Sequence, residues 1–356
     1  TILTSIGLEV ESLEKYENYK GGLAGLLVGE VLEAVQHPNA DKLKITKVHI
    51  GTDTPLNIVC GASNVAVGQK VVVATIGTTI YPKNGAPLTM KLAKIRGEAS
   101  EGMICAEDEV GLSDNHDGIM ILDASIKVGT PVASLFDYYE DWIYEIGLTP
   151  NRMDAMSHYG VAKDVCAYLS YHETPVSAKS PYGKTLNIDQ AVPTYQVTIE
   201  DQKACARYAG VVIEGVQVKA SPAWLKNKLQ SIGLRSINNI VDITNYILHE
   251  TGQPLHAFDA SVIKDQHVVV KTYPAGTSFI SLDGTERKLT ASDLMISDTE
   301  KPMCIAGVFG GLNSGVKDAT TSIFLESAWF NNVSIRKTSV HHGLRTDAAT
   351  RFEKGV

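Results

Sequence analysis

One polar cluster in the second half of the sequence combines residue types that could do acid–base chemistry. An apolar segment with helical spacing carries Thr244 and Asn245, and Gly252 followed by Pro254 is predicted to end that helix. His256 then follows the rigid proline. An imidazole titrates near neutral pH and can exchange a proton with a ligand or with water. The cluster predicts the wall of a binding pocket, and a structural histidine satisfied within a core is the alternative interpretation.

A single carboxylate inside an apolar run is the second candidate. Glu326 lies in the segment FLESAWF, where most neighbours are large and apolar. If its side chain points inward it needs a hydrogen-bond donor, because burial of an unpaired charge costs free energy. A substrate hydroxyl could be that donor. The alternative is a strand residue whose side chain points to solvent.

Two glycine-containing segments resemble nucleotide-binding loops but have the wrong spacing. The sequence GVFGGLNSGV, which starts at Gly307, does not place its glycines as GxGxxG, and close approach of the backbone to another ligand is the better interpretation. The YGKT sequence at 182–185 is like the end of a phosphate-binding loop, but Ala178 stands where the earlier glycine is required. Neither segment predicts a nucleotide site.

Composition bounds the class of protein. The chain has 356 residues, 44% of them hydrophobic and 20% charged, which is enough for two or three cores. A formal charge of −8 argues against broad attraction to nucleic acid, so any RNA contact must be local. Five cysteines without a CxxC pair predict reduced core residues rather than zinc ligands. No signal-like or membrane-length apolar segment is present in the sequence, and we expect a cytoplasmic protein.

The first half of the chain predicts a small β-barrel. From residue 27, short β-rich runs alternate with Gly, Pro and Asn turns, and five or more such strands favour an OB-fold. Basic residues are concentrated in two of these segments, at Lys42, Lys44, Lys94 and Arg96. The face of such barrels commonly binds single-stranded or looped nucleic acid. A solvated strand face with alternating charge is the alternative interpretation.

The second half of the chain predicts mixed helices and strands. Ser221 and Pro222 predict a helix start with serine as the N-cap, and Gly233 predicts a turn between two helices. Strand-like runs follow as HVVVKTY, SFISLDG and MCIAGVFGG. The predicted fold class is therefore α+β with several domains.

Several long segments resemble one family. Residues 241–259, 323–330 and 343–356 resemble the editing domain of bacterial phenylalanyl-tRNA synthetase beta subunits, and residues 28–51 resemble the tRNA-binding module of that family. The resemblance implies an OB-fold barrel inserted into a small N-terminal α/β domain, followed by a mixed α/β editing domain of the B3/B4 type. We expect these boundaries: 1–26 with 142–172 for the split domain, 27–141 for the barrel, 173–190 for a linker and 191–356 for the editing domain.

The resemblance also assigns roles at the editing site. Tyrosine is phenylalanine with one added hydroxyl, which an apolar site cannot strongly reject, so a second hydrolytic site is needed. Glu326 would accept the tyrosine hydroxyl, and His256, Thr244 and Asn245 would orient the substrate amine, ester or water. Residues that would shape the pocket are Pro254, Gly310, Thr346 and Ala348.

The same resemblance implies RNA contacts in the barrel. The residues carried over from the tRNA-binding module are Lys42, Lys44, Asn64, Lys94, Arg96 and Ser100. Asn64 and Ser100 would shape loops within it. Aromatic residues are nearly absent from this region, so we expect weak, salt-sensitive contacts to the RNA backbone rather than base stacking.

The resemblance finally implies partners and cofactors. The sequence would be a fragment of a longer beta subunit that works in an alpha2beta2 tetramer. Aminoacylation, with its ATP and Mg²⁺, would belong to the alpha subunit and the complete enzyme, and we expect neither cofactor nor metal in this fragment. The alternative function is a non-catalytic module that holds tRNA and supports the subunits.

Overall fold

The computed structural model describes residues 1–183 and 195–355. Part of the predicted linker, the first residues of the predicted editing domain and the last two residues of the YGKT sequence lie outside the described residues. The chain divides into two compact units, Glu14–Ile143 and Thr1–Leu13 with Tyr144–Val356. The domain boundaries given above stay predictions.

The described residues form α-helices, short 3-10 helices and many short strands. The α-helices are α1 (Ile2–Ser5), α2 (His158–His172), α3 (Ala223–Ser231), α4 (Asn239–Thr251), α5 (Asn332–His342) and α6 (Asp347–Lys354). The 3-10 helices are Lys20–Leu23, Val132–Leu135, Met153–Ala155, Ala260–Val262 and Lys264–Gln266. The strands in the first part of the chain are β1 (Glu9–Glu17), β2 (Leu26–Gln36), β3 (Lys44–His49), β4 (Leu56–Cys60), β5 (Lys70–Thr75), β6 (Thr79–Ile80), β7 (Leu88–Thr89), β8 (Ala93–Ile95), β9 (Glu98–Ser100), β10 (Gly102–Ile104), β11 (Ile121–Leu122) and β12 (Glu140–Gly147). The later strands are β13 (Gln196–Ile199), β14 (Cys205–Glu214), β15 (Leu255–Asp259), β16 (His267–Thr272), β17 (Ser278–Ile280), β18 (Glu286–Lys288), β19 (Leu294–Ser297), β20 (Pro302–Ile305), β21 (Phe309–Gly310) and β22 (Ser322–Phe330).

The first unit contains a nearly closed antiparallel sheet. Its strand order is β10-β5-β2-β3-β4, with β11 also paired to β5. Because β10 packs against β4, the two ends of the order approach each other and the sheet is barrel-like. β1 and β12 pair in a separate two-stranded sheet.

Strand β5 shows why this sequence builds that sheet. All four residues 71–74 are buried. Val72 packs with Val28 in one core, whereas Val73 packs with Val48 in another. Successive strand residues point to opposite faces, so a strand covered on both sides needs a continuous apolar run.

One of the short β-rich runs in the first half is divided in the structure. The run APLTMKLAKIRG contributes β7 and β8, which pair in the hairpins β6–β7 and β8–β9 outside the main sheet. Between them Met90 is buried in the core, and its backbone N–H donates to the Thr78 carbonyl. The strand that would have been continuous is interrupted where the Met90 side chain enters the core.

Two sheets organise the second unit. One has the order β13-β16-β19-β20-β21 and the other has the order β14-β22-β15. β13 and β16 are parallel, and the other pairs in these two sheets are antiparallel. We call the main core the cluster in which Phe258, Phe324 and Ala328 of the three-stranded sheet pack with Ile296 and Cys304 of the other. The mixed α and β composition predicted for this half is confirmed.

Helix α4 covers the opposite face of the three-stranded sheet. Its Ile240 packs with Ala257 and Ile323, which alternate with the main-core residues along their strands. Asn238 caps the helix start, accepting from the Ile240 and Val241 N–H groups, and Gly252 ends the helix with a φ of 88°. The predicted end of this helix at Gly252 is therefore confirmed.

The start predicted for α3 is wrong by one position. The helix begins at Ala223 with Pro222 as its N-cap, and no side chain caps it. Ser221 instead donates its hydroxyl to Asp242 at 2.5 Å. Asp242 also accepts from Ser236 Oγ and the Ile237 N–H, so this buried carboxylate fixes the approach to α4.

The helices that the structure describes do not span a membrane. No helix within residues 1–183 and 195–355 combines the length and apolar character needed to cross a bilayer.

Candidate functional site

The candidate imidazole and carboxylate lie side by side in one sheet. His256 of β15 is directly opposite Glu326 of β22 in an antiparallel pair. Directly opposed residues point to the same face, so both side chains face the main core. Gly210 of β14 is opposite Glu326 on its other side, which places the carboxylate on the central strand. The structure thus brings together two residues that are far apart in the sequence.

Glu326 is a buried acid with one defined partner. It is 5% exposed, and Tyr208 donates its hydroxyl to Glu326 Oε2 at 2.8 Å. Burial raises the pKa of Glu326 to about 8, and the hydrogen bond from Tyr208 acts in the opposite direction. The carboxyl therefore changes charge close to neutral pH. Buried carboxyl groups with such shifts are typical of functional sites.

His256 is a neutral imidazole with an open hydrogen-bonding position. Burial lowers the pKa of His256 to about 4. Its Nε2 is buried and has no hydrogen-bond partner among the described residues. The ring meets Phe258 edge-on, with centroids 4.4 Å apart. A buried polar atom without a protein partner is costly, so a ligand or water is the natural partner for Nε2.

Gly310 makes room for that imidazole. A Cβ atom added at Gly310 would lie 3.2 Å from His256 Cε1 and 3.6 Å from its Nε2. Any larger residue at this edge of β21 would press on the ring or displace it. The glycine is therefore required by close approach rather than by its backbone angle.

The remaining pocket-shaping candidates lie just before β15 and at the start of α6. Thr346 caps α6 by accepting from the Ala349 N–H, and its hydroxyl donates to the Val308 carbonyl at 2.9 Å. This bond ties the start of α6 to the segment that leads into Gly310. Ala348 lies partly buried in the first turn of α6, and Pro254 is buried just before β15.

Thr244 and Asn245 are not joined to the pair. Thr244 donates its hydroxyl to the Val241 carbonyl at 2.7 Å, within α4. In the described residues no hydrogen bond connects Thr244 or Asn245 with His256 or Glu326. The physical reason is that α4 packs on the face of the sheet opposite to these two side chains.

Tyr208 belongs to the site but is not among the residues predicted from the sequence. It lies two residues from Gly210 on β14 and faces the main core beside Glu326. Its segment reads only as an ordinary apolar strand, and the pairing that brings the phenol to the carboxylate depends on sheet register. Alternation along β14 would have assigned the face of the sheet but not the partner.

The basic residues of the first unit are divided between free and engaged side chains. Lys42, Lys94 and Arg96 are exposed. Lys42 precedes β3, and Arg96 follows β8 with a φ of 53°. Lys44, by contrast, donates from Nζ to the Val65 carbonyl at 2.8 Å. The three exposed side chains of this group therefore lie at or near turns and on a hairpin outside the main sheet.

Asn64 and Ser100 act within the fold. The Asn64 amide donates to the Ile119 carbonyl and accepts from the Ile119 N–H, both at 3.0 Å. Ser100 is buried, donates to the Gly102 carbonyl and accepts from the Val59 N–H. These side chains fix the segments around them and have little capacity left for a ligand.

A large cleft lies beside these two residues. Its volume is about 750 Å³, and its lining includes residues 60–63, Met90, Lys91, Ser100 and His116. Apolar walls with a few polar groups are the usual character of a ligand-binding cleft. Elsewhere, no group of three or more His, Cys, Asp or Glu side chains suited to a metal ion occurs in the part of the chain that the structure describes.

Comparison with known proteins identifies two domains. A B3/4 domain matches residues 204–356, and a putative tRNA binding domain matches residues 26–131. An N-terminal fragment of the phenylalanyl-tRNA synthetase beta subunit from Pyrococcus horikoshii is 14% identical, covers 57% of this chain and 62% of that chain, and has a TM-score of 0.29. That score is too low to carry a structural argument.

Sequence relatives are much closer. The phenylalanine--tRNA ligase beta subunit of Bacteroides fragilis is 54% identical over 354 residues, which are 99% of this chain and 43% of that protein. The same subunit of Porphyromonas gingivalis is 53% identical, with 99% of this chain and 43% of that protein covered. The chain thus spans less than half the length of these relatives. It belongs to the phenylalanine--tRNA ligase beta-subunit family, as a part that carries the tRNA-binding and B3/4 domains.

Proposed function

We propose that this chain binds tRNA and hydrolyses tyrosyl-tRNA for phenylalanine, as the editing part of a phenylalanine--tRNA ligase beta subunit. The observation that carries the proposal is the pairing of His256 with the buried Glu326 on one sheet face. A buried acid could accept the hydroxyl of a phenol, and the imidazole beside it could orient the ester or a water molecule.

Selection of tyrosine over phenylalanine would depend on Glu326. A tyrosine side chain entering beside it supplies a hydroxyl donor, whereas phenylalanine leaves the buried carboxyl without a second partner. When Glu326 is ionised, a lost hydrogen bond to this charged group costs about 1.5–3 kcal/mol, or roughly a factor of 10 to 100, so the preference for tyrosine should grow as the pH approaches the pKa of about 8. A site built around a hydrogen bond therefore rejects the analogue that lacks the group.

Hydrolysis would use positioned water. Water adds to the ester carbonyl carbon, the bond to the ribose oxygen breaks, and that oxygen receives a proton, which leaves free tyrosine and tRNA. His256 Nε2, which is buried and has no partner among the described residues, would hold the water or the ester. With a pKa lowered to about 4 the imidazole is a weak base, so its role would be to orient rather than to abstract the proton fully. Gly310, Thr346, Ala348 and Pro254 would shape the space.

We assign RNA binding to the barrel-like unit, which we propose to be an OB-fold. Exposed Lys42, Lys94 and Arg96 would contact phosphates, and the cleft of about 750 Å³ could receive an unstacked nucleotide. Lys44, Asn64 and Ser100 would support this surface from within. Because the chain carries a formal charge of −8, binding should be local and sensitive to salt.

The complete enzyme would supply the synthetic reaction. We propose an alpha subunit as partner in an alpha2beta2 tetramer, with ATP and Mg²⁺ used for aminoacylation there, and a cytoplasmic location. We also propose that residues 1–26 and 142–172 form one split domain around the barrel at 27–141, and that 173–190 link it to an editing domain at 191–356.

The test is deacylation of tyrosyl-tRNA by the complete ligase. We expect Glu326→Ala to reduce selectivity for tyrosine over phenylalanine, and His256→Ala to reduce the rate itself. Glu214→Ala, which removes an exposed carboxylate from the neighbouring strand β14, is the matched control and should behave as wild type. Unchanged hydrolysis in both site variants would refute the proposal.

A second function is favoured by the free basic side chains. Exposed Lys42, Lys94 and Arg96 would serve equally in a non-catalytic module that holds tRNA and supports the subunits. Titration with free tyrosine and phenylalanine separates the two functions. Preferential binding of tyrosine that is lost in Glu326→Ala supports editing, whereas no binding of either amino acid supports the scaffold.

A further inference from the structure

A phenol of the protein itself already occupies one oxygen of Glu326. Tyr208 donates to Oε2 at 2.8 Å. Within the described residues no donor reaches the other oxygen, Oε1. A carboxylate has about four acceptor positions on its two oxygens, so one hydrogen bond leaves capacity for another. The resident phenol carries the same functional group by which tyrosine differs from phenylalanine.

The position of Tyr208 is set by its neighbours. Its ring stacks on Phe324 with centroids 6.5 Å apart and an interplanar angle of 20°. A Cβ atom at Gly210 would lie 2.1 Å from Phe324 Cζ. Only glycine at this position leaves space for the Phe324 ring, on which Tyr208 stacks. Burial first, and the charge of Glu326 second, raise the pKa of Tyr208 well above its ordinary value. The phenol therefore stays protonated and acts as a fixed donor.

We propose that Tyr208 is a specificity-determining positioning residue, which holds Glu326 so that Oε1 accepts the hydroxyl of a para-hydroxyphenyl substrate. This inference rests on the editing function proposed above. Without the donor, Glu326 would lose both its fixed orientation and the interaction that favours its ionised form. A protonated acid is a weaker acceptor than a carboxylate, so preference for tyrosine would fall.

The pH dependence of this effect can be assigned to one group. The titratable side chains around Glu326 are Tyr208 on β14, His256 on β15, Cys205 on β14 and Cys304 on β20. Burial raises the pKa of Cys205 to about 12 and that of Cys304 well above its ordinary value, with Glu326 adding to both. Burial lowers the pKa of His256 to about 4. Between pH 6.5 and 8.5 the charge that changes here is that of Glu326.

The experiment compares hydrolysis of tyrosyl-tRNA and phenylalanyl-tRNA by the complete ligase from pH 6.5 to 8.5, with uncatalysed hydrolysis subtracted. The test variant is Tyr208→Phe, which keeps the ring and removes the hydroxyl. The matched control is Tyr195→Phe, because Tyr195 also packs on Phe324, at 5.7 Å between centroids, but donates to the Ala260 carbonyl. We expect Tyr208→Phe to lower the tyrosine-to-phenylalanine ratio of kcat/KM about tenfold near pH 7 and less at pH 8.5.

The ratio separates this inference from a change in folding and from the proposed function. Partial unfolding would lower both rates and leave their ratio unchanged. If Glu326→Ala loses selectivity while Tyr208→Phe matches wild type and Tyr195→Phe at every pH, the role of Tyr208 is refuted and editing stands. If Glu326→Ala keeps wild-type selectivity, the proposed editing function itself fails.

Discussion

The two regions assigned to ligand binding are built in opposite ways. Glu326 is buried and the neighbouring His256 is partly buried, and the register of paired strands sets the position of both side chains. The basic residues Lys42, Lys94 and Arg96 are exposed and lie near turns or on a hairpin. Buried groups make few interactions that depend strongly on geometry, whereas exposed charges act over distance and are screened by salt.

Selection of the amino acid and affinity for RNA can therefore be separated in one chain. The buried pair would decide which aminoacyl group is hydrolysed, because an unmatched polar group there is costly. The exposed basic residues would hold RNA irrespective of the amino acid attached. Changes at the buried pair should therefore respond to shape and pH, and changes on the basic surface should respond to ionic strength.

The largest effect is expected from crowding the imidazole. Gly310→Val places atoms where a Cβ alone would be 3.2 Å from His256 Cε1, so the ring must move. We expect a loss of about 100-fold in hydrolysis of tyrosyl-tRNA, since small misplacement of a reacting group is costly. Gly315→Val is the control, because no atom lies within 4 Å of a Cβ there. Equal activity of the two variants would contradict the assignment of Gly310.

The next effect concerns stability and pH. Burial raises the pKa of Glu326 from 4.5 to about 8, so between these values the folded protein keeps a proton that the unfolded chain releases. Stability is then lost as pH rises through about 8. His256, with its pKa lowered from 6.5 to about 4, costs stability only as pH falls below 6.5. Well above pH 6.5 His256 adds little to the pH dependence, and comparison with a variant that cannot ionise at position 326 separates the contribution of Glu326.

We expect urea unfolding of wild type to show a loss of roughly 2 kcal/mol between pH 6.5 and 8.5 that Glu326→Gln lacks. The neutral amide cannot ionise, so its curve should be flatter over this range. Parallel pH dependence of the two proteins would show that Glu326 is not a buried titrating group.

A smaller effect is expected on the basic surface. Replacing both Lys94 and Arg96 by Ala should weaken tRNA binding several-fold and lower the slope of log affinity against log salt by about 1.5, since each phosphate contact contributes roughly 0.7–0.9. Lys70→Ala is the matched control, because Lys70 is already paired with Glu30 at 2.7 Å. Filter binding at several salt concentrations measures both quantities, and an unchanged slope in the double variant would remove these residues from the interface.

The smallest effect is expected from a residue that supports the fold from within. Ser100→Ala removes two buried hydrogen bonds, to the Gly102 carbonyl and from the Val59 N–H. We expect a loss of about 1 kcal/mol in unfolding free energy with tRNA affinity unchanged. Weaker tRNA binding without any loss of stability would instead make Ser100 a direct contact.

Local features of the fold followed from the sequence. The apolar spacing and Gly252 located α4 and its end, and the short β-rich runs of the first half include β5. These features depend on residues close together in the chain. The prediction that Ser221 caps α3 was wrong because a carboxylate distant in the sequence, Asp242, accepts a hydrogen bond from the Ser221 hydroxyl.

The candidate site was predicted only in part. His256 and Glu326 were selected by residue type and resemblance. Their direct opposition depends on strand register, which is determined by the tertiary structure. The same register brings Tyr208 to Glu326, and nothing in its own segment indicates that contact. Thr244 and Asn245, predicted to act with His256, lie on a helix that covers the other face of the sheet.

The most direct test is a crystal structure of the complete ligase soaked with tyrosine. We predict that the phenol oxygen lies about 2.5–3.0 Å from Glu326 Oε1, with Tyr208 still bound to Oε2 and the amino acid beside His256. Tyrosine bound with its hydroxyl away from Glu326, or bound only elsewhere on the enzyme, would show that Glu326 does not recognise the phenol.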